Sequence, residues 1–147
     1  MPALIQNANF ISRRKPLEAE LMKTLIASLV LFAVLLGFGT FSYFYIDHTA
    51  KQLVTKVKLV EQNGYKEDWQ QAEQEFSVLH EKWNTASSKW TALVDHQELD
   101  DINISLAKVG EYIKAKDMPG FRSEVAELKI LIRHIPEKEA VNLKNIF

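Results

Sequence analysis

An uncharged apolar run near the N-terminus constrains this chain more than any other feature of its sequence. The 23 residues between Lys23 and Asp47 carry no charge, and thirteen of them are Leu, Ile, Val or Phe. A helix of about twenty residues crosses the ~30 Å hydrocarbon core of a bilayer. On a membrane-insertion scale the thirteen side chains contribute roughly −4 to −8 kcal/mol. The run therefore predicts a transmembrane helix over residues 25–46, with an aromatic belt at its far end formed by Phe41, Tyr43, Phe44 and Tyr45.

A cleaved signal peptide is the main alternative to an uncleaved anchor. Met22 and Lys23 precede the run, and Gly37 and Gly39 supply small residues near a cleavage point. The apolar core of a signal peptide spans only ~7 to 15 residues, whereas this run continues through the aromatic cluster. We therefore expect an uncleaved anchor preceded by an N-terminal tail, residues 1–24. The sequence leaves open whether translation starts at Met1 or at Met22.

Basic residues flank both ends of the run almost equally, so the positive-inside rule does not decide its orientation. Four lie before it and four follow within twenty residues, namely Arg13, Arg14, Lys15 and Lys23, then Lys51, Lys56, Lys58 and Lys66. A short N-terminal segment ahead of a larger domain resembles a signal anchor. This favours a single-pass protein of the cell membrane, with a cytoplasmic N-terminus and an extracytoplasmic C-terminal domain.

Apolar periodicity predicts an all-α chain after the span. Leu53, Val54, Val57 and Val60 recur at helical spacing and predict a helical juxtamembrane linker over residues 47–64, ending at the Asn63-Gly64 turn. In the first helix of the domain, residues 66–93, apolar side chains fall in two columns of seven-residue spacing. One column holds Trp69, Phe76, Trp83 and Trp90, and the other holds Ala72, Leu79, Ala86 and Leu93. Such columns indicate a buried seam rather than stacking platforms for a ligand or bases.

Two further helices complete a small domain over residues 65–147. One is predicted over residues 98–116, and the other over residues 119–135, where Pro136 stops it. Three amphipathic helices with short links predict an antiparallel, up-down-up bundle. Apolar residues alternate in part over residues 141–147, which predicts an extended C-terminal tail.

Charge and cysteine content exclude several classes of site. The part after the run holds 14 Lys or Arg against 17 Asp or Glu, so it lacks the excess positive charge of a nucleic-acid surface. Without cysteine the chain forms no disulfide and no thiolate metal site. A domain this small buries a modest core, so besides the lipid bilayer we expect a protein partner, either a second copy or another small membrane protein.

Several segments together resemble a small protein family. They are the tryptophan-spaced helix, residues 94–102, Tyr112-Ile113, His134-Ile135-Pro136 and the terminal Asn145-Ile146-Phe147. The pattern is similar to single-pass proteins of spore-forming Gram-positive bacteria, domain-of-unknown-function family 4363, and the resemblance covers residues 22–147. It implies a membrane-anchored helical domain encoded beside another small membrane protein, and it implies no activity.

The densest polar cluster lies at the predicted start of the second bundle helix. Asp95 and Glu98 have the spacing of a capping box, in which both side chains accept backbone N–H groups. An up-down-up bundle would also bring His96 near His134, where Glu98 or Glu137 could complete a divalent-metal site. Capping is the preferred interpretation. His96, Glu98 and His134 stand as the metal candidates, although we predict no bound metal or other cofactor.

The sequence contains no Gly-rich phosphate loop, nucleophile elbow or zincin motif. We therefore predict no catalytic residues and no enzymatic activity. The expected role is that of a protein-interaction or accessory subunit of a membrane complex. The alternative is an extracytoplasmic sensor or binding module for a metal or small ligand.

Overall fold

The computed structural model describes the backbone of residues 3–144 and the side chains of residues 20–140. This part of the chain consists of α-helices joined by short turns. Its elements there are α1 (Ala3–Tyr65), α2 (Trp69–Trp90), α3 (His96–Ala115) and α4 (Met118–Lys144). The predicted all-α class is confirmed. The chain divides into two compact units, Met1–Thr40 and Phe41–Phe147, and α1 contributes to both.

The first unit is the apolar part of α1. Its large apolar side chains from Leu21 to Phe38 point outward, and most are more than half exposed. One stretch within Glu20–Tyr65 is long and apolar enough to cross a membrane, and none of that stretch is buried.

The second unit is a bundle of four helices, because the C-terminal part of α1 is its first member. Six side chains of α1 are buried in its core, namely Ile46, Ala50, Leu53, Val54, Val57 and Val60. The prediction of a three-helix bundle behind a linker differs from this arrangement. An apolar stripe at helical spacing is stable in water only when other helices pack against it. Helices α2 and α4 pack against the stripe of α1. Since Ile46 lies in this core, the exposed apolar segment, residues 24–44, ends at Phe44.

Side-chain pairs join each helix to the next in antiparallel order. Lys56 of α1 lies 3.5 Å from Glu75 of α2, and the Trp83 indole of α2 donates to the Asn103 amide oxygen of α3 at 2.7 Å. Two pairs link α3 to α4, Glu98 with Lys138 at 2.6 Å and Lys108 with Glu124 at 3.6 Å. The Glu61–Lys129 pair, at 2.6 Å, joins α1 to α4 and closes the ring.

The turn between α1 and α2 lies at residues 66–68, just beyond the Asn63-Gly64 pair that predicts it, and both residues of that pair are still helical. Helix α1 ends at Tyr65, Glu67 has a positive φ of 60°, and the Asp68 carboxylate caps α2 by accepting the Gln71 N–H. Gly64 itself has no positive φ. It is glycine because a Cβ there would stand 2.3 Å from the Phe121 ring.

Helix α4 continues past Pro136, so the predicted helix end at Ile135 is wrong. The predicted extended tail is also wrong as far as Lys144, and the last three residues lie outside the described part of the chain. A proline inside a helix removes one hydrogen bond, here to the Ile132 carbonyl, and it crowds the preceding turn. Pro136 is buried in the bundle, so packing offsets that loss.

The predicted tryptophan seam is confirmed. Trp83 and Trp90 are fully buried and meet edge to face with ring centroids 5.8 Å apart, while Trp69 and Phe76 are half-buried against the core. From the second column, Ala72, Leu79 and Ala86 are buried, and Leu93 packs against the core just beyond α2.

Candidate functional site

Asp95 caps α3, as half of the predicted capping box requires. Its carboxylate accepts the Gln97 N–H at 2.9 Å. Glu98 does not complete the capping box by accepting the Asp95 N–H. Its Oε1 instead accepts a hydrogen bond from the Lys138 ammonium at 2.6 Å. This bond and the Glu98 charge raise the pKa of Lys138 above its ordinary value. Glu98 therefore ties α3 to α4.

The metal candidates are only partly brought together. Glu98 and His134 line one groove of about 500 Å³ between α3 and α4, and His96 is not among its lining residues. Over residues 20–140, no three His, Asp or Glu side chains are placed as a set of metal ligands. The expected approach of the α3 start to the α4 end is present, and its polar contact is the Glu98–Lys138 pair.

A second groove, of about 240 Å³, continues along the same two helices and shares Asp101 and Leu131 with the first. At its floor Ser105 is 2% exposed and Glu124 is 6% exposed. Among the described side chains, neither the Ser105 hydroxyl nor the Glu124 Oε1 has a hydrogen-bond partner. Ser105 is a polar residue within the buried stripe of α3, between Ile102 and Leu106. A polar residue at a stripe position is the sequence signal for a buried hydroxyl.

Two isoleucines stand exposed along these grooves. Ile104 of α3 is 55% exposed and Ile130 of α4 is 66% exposed. Both lie outside the apolar stripes that predict the core. An isoleucine at such a position is the sequence signal for an exposed apolar side chain. Because Glu98–Lys138 and Lys108–Glu124 bracket them on either side, the antiparallel register places Ile104 and Ile130 at the same level.

Charges surround this apolar centre in an alternating pattern. We call the whole surface the α3/α4 face; its residues are Glu98, Asp101, Ile104 and Lys108 of α3 with Glu124, Glu127, Ile130, His134 and Lys138 of α4. At the end near the α3 start, acids lie on α3 and basic groups on α4. At the other end the order is reversed, with Lys108 on α3 and two glutamates on α4.

The model of a protein family described as a domain of unknown function, DUF4363, matches residues 40–146. The chain belongs to this family. The DUF4363 match starts one residue before the second unit. The family region is therefore the four-helix bundle, which includes only the C-terminal part of α1. Most of the apolar segment lies outside the match, which is narrower than the resemblance over residues 22–147. No curated protein and no solved structure matches the chain.

The end of the DUF4363 bundle that holds the α1–α2 turn carries an aromatic and ionic cluster. The Tyr65 hydroxyl donates to Glu61 at 3.0 Å, Glu61 also pairs with Lys129, and the Arg122 guanidinium lies 4.9 Å from the Tyr65 ring centroid. Burial, followed by the hydrogen bond to Glu61, raises the pKa of Tyr65. Phe121 packs edge to face against Tyr65 at 6.3 Å between centroids. These contacts lock the α1–α2 turn to α4.

Proposed function

We propose that this chain is a single-pass, non-enzymatic interaction subunit of the cell membrane. The observation that carries the proposal is the α3/α4 face, which exposes an apolar centre inside a charged rim on a bundle whose core is filled. Protein interfaces share this plan of a desolvated apolar core within a polar rim.

Anchoring by α1 is supported by the length of its exposed segment. Residues 24–44 give a helix of roughly 30 Å at 1.5 Å per residue, the thickness of a bilayer core. For the orientation we propose a cytoplasmic N-terminus and an extracytoplasmic bundle. Only Tyr45 separates the exposed Phe44 from the buried Ile46, so the buried stripe of α1 begins directly after the exposed segment.

The test is crosslinking in intact cells followed by purification of the tagged full chain in detergent. We expect a defined crosslinked species containing this chain and either a second copy or one membrane protein in fixed ratio. A chain that stays uncrosslinked and sediments as a monomer would contradict an interaction role. Ile130→Ser is the informative variant and Val78→Ser its control, because Val78 is 40% exposed on α2, outside the α3/α4 face.

A second candidate function, a sensor or binding module for a small polar ligand or a metal, is favoured by one observation. The Ser105 hydroxyl and the Glu124 Oε1 are buried without partners at the floor of the 240 Å³ groove. Elemental analysis and thermal melts of the purified chain test it. A metal ion or small molecule that co-purifies in stoichiometric amount and is lost on Glu124→Gln would favour the sensor.

A further inference from the structure

We propose that the α3/α4 face binds the same face of a second copy, with α3 of each bundle against α4 of the other and both bundles pointing the same way. This inference rests on the proposed function and names its partner. It makes the chain a symmetric dimer about an axis that runs along the seam between α3 and α4.

The apolar centre of the face suits such a pairing. The ion pairs Glu98–Lys138 and Lys108–Glu124 lie on either side of Ile104 and Ile130. A two-fold axis along the seam exchanges the two helices without changing the level along the bundle. It therefore places Ile104 of each copy against Ile130 of the other, so that two aliphatic side chains that are more than half exposed in the single chain become buried.

The charge pattern is complementary to itself under the same axis. Near the α3 start, Glu98 and Asp101 on α3 of one copy meet Lys138 and His134 on α4 of the other. At the opposite end, Lys108 of one copy meets the α4 glutamates of the other. Asp101 and Glu127 take part in no ion pair among the described side chains, so both gain a basic neighbour. Complementary potentials of this kind fix the register of an interface.

The charges allow a second symmetric arrangement, about an axis across the two helices. That axis also opposes unlike charges, but it turns one bundle upside down relative to the other and pairs Ile104 with Ile104 and Ile130 with Ile130. The arrangement proposed here is the one about the seam, and its signature is contact between Ile104 and Ile130 rather than between like positions.

Disulfide trapping tests the contact directly, because the chain has no native cysteine. Full-length Ile104→Cys and Ile130→Cys chains with different tags are coexpressed, and their membranes are oxidised. We expect a mixed 104–130 disulfide to dominate over the 104–104 and 130–130 species, since a disulfide requires Cα atoms within about 7 Å. Val78→Cys is the matched control, because it is an exposed aliphatic position on α2 and should give no disulfide dimer.

Charge complementation separates an intermolecular contact from a structural role of the Glu98–Lys138 pair. Lys138→Glu alone and Glu98→Lys alone each oppose like charges in the dimer, and each should lower the 104–130 disulfide yield by about tenfold. Coexpression of the two variants restores opposite charges between copies, so the mixed disulfide should recover. The broken intramolecular pair stays broken in both chains, so recovery cannot come from repaired folding.

The outcomes distinguish this inference from the function on which it rests. Dominant 104–104 or 130–130 disulfides, or no recovery on coexpression, would overturn the paired faces. If the chain nevertheless crosslinks in cells to itself elsewhere or to another membrane protein, the interaction role stands without this surface. A monomer that forms no crosslink of any kind overturns both.

Discussion

Gly64 lies in the last turn of α1 because the ring of Phe121 occupies the space where a side chain would be. A Cβ on Gly64 would stand 2.3 Å from that ring, and Phe121 is fully buried and cannot swing away. Gly64→Ala should therefore destabilise the bundle by about 1 to 3 kcal/mol, the usual range for overpacking. Thermal melts of the full chain in detergent measure this. Gly37→Ala is the control, since nothing lies within 4 Å of its added methyl group, and equal melting of the two variants would contradict the account.

Trp83 combines a buried ring with a hydrogen bond across the bundle. Its indole N–H donates to Asn103 at 2.7 Å, and its ring meets Trp90 edge to face. Trp83→Ala should cost about 3 to 5 kcal/mol, as for other buried large aromatics. Val78→Ala on the exposed side of α2 should stay within ~0.5 kcal/mol. Denaturant unfolding followed by the remaining tryptophan fluorescence compares the two, and a small loss at Trp83 would show that the seam is loosely packed.

Tyr65 gives the bundle a dependence on alkaline pH. Burial and the bond to Glu61 raise the pKa of the phenol in the folded state above its ordinary value of 10.0. Folding therefore favours the protonated phenol. Its contribution to the free energy of unfolding is complete below pH 10 and is lost as the pH rises through the raised pKa of the folded state. Thermal melts above pH 10 should fall more steeply for the native chain than for Tyr65→Phe. Parallel curves would contradict a phenol whose proton is held by the hydrogen bond to Glu61.

At the scale of helices, the decisive element is the part of α1 that follows the apolar segment. It supplies six buried side chains between Ile46 and Val60 to a core shared with α2, α3 and α4. A fragment of residues 41–147 should therefore fold as a cooperative unit, whereas residues 63–147 should not. Circular dichroism melts decide this. A cooperative transition in the shorter fragment would restore the independent three-helix bundle that the sequence predicts.

The predicted elements succeed or fail for identifiable physical reasons. Seven-residue columns located α2, and Asp95 located the start of α3, because both signals are local. The role of residues 46–60 was missed, since a helical stripe does not indicate which helices cover it. Pro136 predicted a helix end because local rules count its lost hydrogen bond and not the burial of its ring. The sequence does not predict that Ser105, Ile104 and Ile130 lie along one surface, since that depends on the register between α3 and α4.

For the whole molecule, the first consequence concerns the membrane. The outward apolar face of α1 predicts that the chain stays in the membrane fraction after a carbonate wash. The proposed orientation predicts that protease added to intact protoplasts digests the bundle and spares the N-terminal tail. Lysed protoplasts are the control. Release by carbonate would contradict the anchor, whereas a protected bundle would reverse the orientation and leave the anchor intact.

Closure of the bundle by its first and last helices sets an order of events during synthesis. Glu61 and Lys129, which join α1 to α4, are 68 positions apart. At ribosomal speeds of ~5 to 20 residues per second, roughly 3 to 14 s separate their synthesis. For that time the stripe from Ile46 to Val60 lacks its final cover. The nascent chain is then most open to capture by a chaperone or by a neighbouring copy, and completion of α4 ends that exposure.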